Sequence, residues 1–180
     1  MLGDPLQSSE KIPEGPAMEA PVQIKPTKLA DYLEVLSKAV FESGMNWQVV
    51  EQKWPGFREA FDGFDPPTIA SYTPDDVDRL LADTRIIRNG RKILATIHNA
   101  QALLDAEKEF GSFARYLEVH RPFDSQLADM KKRFKHVGNF AVYYFLYVVG
   151  EEVPPHEEYA AKLKGQAVPP ARQRLGKQRG

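Results

Sequence analysis

Apolar residues recur at intervals of three and four along most of this chain, and this spacing predicts helix after helix. In "KLADYLEVLSKAVFESG", Leu29, Tyr32, Leu33, Leu36 and Val40 fall on one helical face, with Thr27 as the expected cap and Gly44 as the expected stop. "NWQVVEQKWPGFREAFDGF" follows, with a break expected at Pro55 and Gly56. Asp65-Pro66-Pro67 opens a short helix, and Thr73-Pro74 with acids behind it opens another. "GRKILATIHNAQALLDAEKEFG" predicts a long amphipathic helix, "SFARYLEVH" a short one before Pro122, and "SQLADMKKRFK" and "NFAVYYFLYVVG" the last pair. Alternating strand patterns and internal repeats do not stand out. The expected class is all-α, a compact helical bundle.

The flanks break the pattern. Residues 1–25 are rich in Pro, Gly, Ser and Glu without a hydrophobic period, which predicts a disordered arm. Residues 161–180 carry Lys162, Lys164, Arg172, Arg174, Lys177 and Arg179 and no acid, which predicts a flexible basic tail. The expected domain is therefore 26–160.

Composition narrows the chemistry. The net charge is −1, so nucleic-acid binding requires a local patch. There is no cysteine, and the four histidines are scattered, so neither thiolate chemistry nor a bound metal is expected. Apolar runs fall short of the about eighteen residues a membrane span needs. The expectation is a soluble, cytoplasmic protein that needs no cofactor.

The segment "KKRFKHVGNFAVYYFLYVVG", Lys131 to Gly150, joins a cationic turn to a greasy helix. Helix, tight turn and helix leave the amides of the turn and of the second helix's first residues pointing outward, where a phosphate is their natural ligand. Gly138 has no Cβ to keep a backbone away. Lys131, Lys132, Arg133, Lys135 and His136 add charge, while the apolar helix anchors the hairpin. An ordinary helix–helix turn with solvated lysines accounts for the same residues.

Three spaced blocks carry a more specific signal. "SGMNWQVVEQKWPGFREAFDGFDPPTIA", "DDVDRLLADTRIIRNGRKILATIHNAQALL" and "MKKRFKHVGNFAVYYFLYVVG" resemble, in that order, the blocks of the DNA-3-methyladenine glycosylase I family of helix-hairpin-helix glycosylases. The resemblance implies a base flipped out of duplex DNA into an aromatic pocket, followed by cleavage of its N-glycosidic bond. It implies that Trp47 stacks on the base and that Ser43, Gly44 and Met45 form the loop that wedges into the DNA, with Met45 as an apolar plug. It also implies that Val137 and Gly138, beside Lys135, hold phosphate.

The chain departs from that family in three places. "PVQIKPTKLADYL" stands where the family has a Tyr-, His- and Trp-rich segment, the zinc-binding residues are missing, and Ala39 occupies the position of the base-binding glutamate. Candidate carboxylates are Glu42, one turn on, and Glu157 and Glu158, about twenty residues after Gly138. Surface charges explain all three equally well. No lysine marks a Schiff base. Two functions follow: a monofunctional glycosylase for alkylated purines such as 3-methyladenine, in base excision repair, or a non-catalytic DNA binder of the same fold. A helical interaction domain with no nucleic-acid role is a third. The expected partner is double-stranded DNA with alkylated bases or abasic sites, bound by a monomer at the bacterial nucleoid.

Overall fold

The computed structural model describes residues 20–166, and the described residues form helices and connecting turns without a strand. The helices are α1 (Leu29–Glu42), α2 (Trp47–Ala60), α3 (Pro66–Ala70), α4 (Pro74–Leu81), α5 (Gly90–Phe110), α6 (Phe113–Val119), α7 (Phe123–Arg133), α8 (Asn139–Val148) and α9 (His156–Gln166). Their apolar faces meet in one core, with Leu33, Leu36, Val40, Ile93, Leu103, Phe145 and Leu146 fully buried.

Several boundaries differ from the sequence expectation. Thr27 stands two residues before the helix start, with Lys28 at the cap position, and the Asp31 carboxylate does the capping, accepting from the backbone N–H of Thr27 (2.8 Å) and of Lys28 (3.2 Å). Helix α2 runs through Pro55 without a break. Trp54, Phe57, Phe61 and Phe64 stack in series, at centroid distances of 4.8, 6.2 and 5.5 Å, and hold the segment helical. The proline removes only the bond to the carbonyl of Glu51, an exposed residue that water reaches. Gly56 has another role: a Cβ there would lie 2.7 Å from both Cβ and O of Arg85, so glycine lets the loop after α4 pack on α2. At the C-terminus, α9 continues to Gln166, so 161–166 is helix rather than tail. The arms expected at 1–19 and 167–180 lie outside the described residues. Residues 23 and 24 are tied down, with Gln23 Nε2 and Ile24 N donating to the carbonyls of Tyr147 and Val148.

Candidate nucleic-acid interface and carboxylate hollow

Helix α1 ends at Glu42, and Gly44 reverses the chain in the left-handed region at φ +72°, where a β-carbon is strained. A buried cation fixes this turn. Lys92, 4% exposed, donates its Nζ to the carbonyls of Phe41 (2.9 Å) and Ser43 (2.7 Å). These are carbonyls a helix end leaves without partners, and a cation there also meets the negative end of the dipole. Lys92 therefore braces the turn. Ser43, Gly44 and Met45 are held exposed, and Trp47, at the start of α2 behind the Asn46 cap, keeps 45% of its surface open.

The hairpin is fixed from the same helix, α5. Asn99, fully buried, accepts from the backbone N–H of Lys135 (2.7 Å) and donates to its carbonyl (3.1 Å). His136 takes the left-handed φ of +60° that closes the turn, and Gly138 caps α8 with an extended backbone. A Cβ at Gly138 would meet nothing within 4 Å among the described residues, which leaves room there for an outside group. Lys92 and Asn99 are two turns apart on one helix, about 10 Å at 1.5 Å per residue. An open cleft of about 480 Å³ joins Ser43 of the wedge to Lys132, Lys135, Val137 and Gly138 of the hairpin.

Among the cations assigned to phosphate, Arg133 is the exception. It donates to Asp129 (3.4 Å) and Glu109 (3.2 Å) and lies 5.0 Å from the centre of the Tyr116 ring. It braces α7 against α5 and α6, because its position on α7 turns it to those neighbours. Arg85 is likewise held by Asp83 and Glu59. Lys132 and Lys135 remain exposed, as do Arg88 and Arg91. His98 is exposed beside the Arg133 carbonyl.

The three candidate carboxylates separate. Glu157 and Glu158 stand exposed in the first turn of α9, where the helix dipole favours acids. Glu158 lines a different cleft, of about 740 Å³, which also contains the bidentate Arg121–Glu151 pair. Neither lines the cleft between wedge and hairpin. Glu42 is half-buried, and this desolvation pushes its carboxyl up to about 7, against the pull of Lys38 and with the push of Glu51. Lys38 pairs with Glu51 across α1 and α2. Glu42 lies one turn beyond Lys38 on α1, and Trp47 one turn before Glu51 on α2. The Glu42 charge also raises the hydroxyl of Tyr144 on α8, after desolvation, the larger cause.

An exposed cationic turn between α7 and α8, an exposed loop after α1 and a desolvated carboxylate at the end of α1, on an all-helical frame, are the features of a helix-hairpin-helix protein. The model of the methyladenine glycosylase family matches residues 26–129, and the chain belongs to that family. The match ends just before the hairpin. The chain is 33% identical over 93 residues to the DNA-3-methyladenine glycosylase of Haemophilus influenzae, which covers half of each chain. It is 31% identical over 146 residues to DNA-3-methyladenine glycosylase 1 of Escherichia coli K12, covering 65% of this chain and 78% of that one. A crystal structure of 3-methyladenine DNA glycosylase I superposes with a TM-score of 0.62 at 32% identity, over 71% of this chain and 81% of that chain.

Proposed function

We propose that this chain is a monofunctional DNA glycosylase that releases cationic alkylated purines, 3-methyladenine above all, from duplex DNA. The observation that carries this is the Glu42 carboxylate, half-buried and held at about 7 at the end of α1, five residues before the exposed Trp47. The wedge enters the stack at the lesion, and the amides of Val137 and Gly138 with Lys132 and Lys135 hold the flanking phosphates. The extruded base lies against the indole, whose electron-rich face favours a cationic ring.

A methylated purine already carries positive charge, so the C1′–N9 bond breaks with its electron pair passing to the base, which leaves neutral. The sugar becomes cationic, and the Glu42 carboxylate stabilises it electrostatically. Water adds to C1′ and gives up its proton to Glu42 or solvent, leaving an abasic site. Lys38, the lysine whose charge acts on the carboxylate, is tied to Glu51, and Lys92 is tied to the carbonyls of Phe41 and Ser43, so strand cleavage through a Schiff base is not part of the reaction. The protein works as a monomer on cytoplasmic DNA.

Duplex methylated with a simple alkylating agent tests this. Strand breaks should appear only after alkali cuts the abasic sites the protein has made. Breaks without alkali would refute a monofunctional enzyme. Ala39, in the place of the family's base-binding glutamate, favours the second reading, a DNA binder without catalysis. That reading predicts binding to abasic DNA and no alkali-sensitive sites.

A further inference from the structure

Helix α8 is mostly core, yet its first turns present an aromatic surface to solvent. Phe140 is 42% exposed. Its ring lies 6.4 Å from that of Tyr144, one turn on, at an interplanar angle of 28°. The Tyr144 hydroxyl is 3.2 Å from Nε2 of His156, at the start of α9, and the His156 ring packs at 6.3 Å from Phe140 and 6.1 Å from Tyr144. Phe140 follows Gly138, the hairpin residue open to an outside group, by two residues. Helices α1 and α8 run antiparallel, since residues just before α1 bond to the end of α8 while Ser43, just after α1, shares a cleft with Gly138. The Phe140–Tyr144 face therefore borders the end of α1 that carries Glu42. The rings lean on Tyr143 and Tyr159 at one edge, and Phe140 and His156 keep the rest of their surface open beside the hairpin.

We propose that Phe140, Tyr144 and His156 form the second wall of the base site, a stacking platform on which an extruded cationic purine lies flat with the Glu42 carboxylate in reach of its charge. The occupant is set by the chemistry: flat rings bind any base by its face, and a carboxylate beside them selects a base carrying positive charge. The platform also answers the missing aromatic N-terminal segment, because it supplies stacking surface from α8 and α9 instead. This rests on the glycosylase reading given above.

The test has two arms on the full chain. The first is binding of 3,9-dimethyladeninium, a fixed-charge mimic of the damaged nucleoside's base, against neutral 9-methyladenine, followed by ring-proton shifts in NMR. The cation should bind more tightly at pH 8, moving the Phe140, Tyr144 and His156 resonances, and Phe140→Ala should weaken it about tenfold. Phe140 is exposed, so the variant should melt with the wild type, and Tyr144→Phe provides a second variant that keeps the ring. The second arm is base release from methylated duplex. Equal binding of the cation by wild type and Phe140→Ala, or shifts confined to other residues, would overturn the platform even if release is normal. Platform binding without base release would leave the platform standing and defeat the glycosylase reading.

Discussion

Burial of the Glu42 carboxyl at the end of α1 makes stability and activity respond in opposite directions to Glu42→Gln. Its folded value of about 7 lies above that of the unfolded chain, so the folded state holds an extra proton between about 4.5 and 7. The protonated form contributes stability at low pH, and that contribution is lost as pH rises through 7. Linkage sets an upper bound of about 3 kcal/mol for the cost of holding the charge above pH 7, and water access to the half-buried group reduces this to about 1–2 kcal/mol. Gln keeps the shape and carries no charge. Urea unfolding should therefore show Glu42→Gln level with wild type at pH 5 and about 1–2 kcal/mol more stable at pH 8. The same substitution should lower base release by about 10²–10³, the scale of losing one preorganised electrostatic group. Wild-type kcat/KM should fall below pH 7 as the carboxylate is protonated, and the variant should lack that limb. Equal stability difference at pH 5 and pH 8 would refute the desolvation, and an unchanged rate profile would refute the catalytic role.

Other substitutions separate bracing from binding. Asn99→Ala removes both bonds to the Lys135 backbone, so urea unfolding should show a loss of about 2–3 kcal/mol and gel-shift assays a weaker grip on abasic-site duplex. Lys132→Ala and Lys135→Ala should each reduce the slope of log binding constant against log salt by about one, with little change in melting temperature, whereas Arg133→Ala should lower the melting temperature and leave the salt slope intact. Gly56→Ala forces a Cβ against the Arg85 backbone and should cost about 1–3 kcal/mol in the same unfolding assay.

Local pattern carried most of the fold into view. The period of α1 and the starts at Asp65 and Thr73 are signals within a few residues of what they control. Pro55 misled because a tertiary stack of aromatic rings outweighs one lost bond, and that stack is not visible from local propensity. The order of the motifs pointed to the candidate site through resemblance, by Trp47 and the turn from Lys135 to Gly138. Lys92 and Asn99 act across 49 and 36 residues of sequence, so their partners could not be read locally. Asn99 did leave a trace, as a polar side chain on the buried face of α5. Glu42 looked like any helix-end acid, since its desolvation comes from the packing around it. Arg133 looked like its neighbours Lys131 and Lys132, and only the placement of Asp129, Glu109 and Tyr116 removes it from the phosphate set.

The central claim is that hairpin, wedge and Glu42 act together on one extruded base. Mass spectrometry of the bases freed from methylated duplex tests it most directly, with uncatalysed depurination as the reference. Free 3-methyladenine should accumulate well above that reference with wild type and fall back towards it with Trp47→Ala and with Glu42→Gln. Tight binding to abasic-site duplex with no freed base above the reference would contradict the claim.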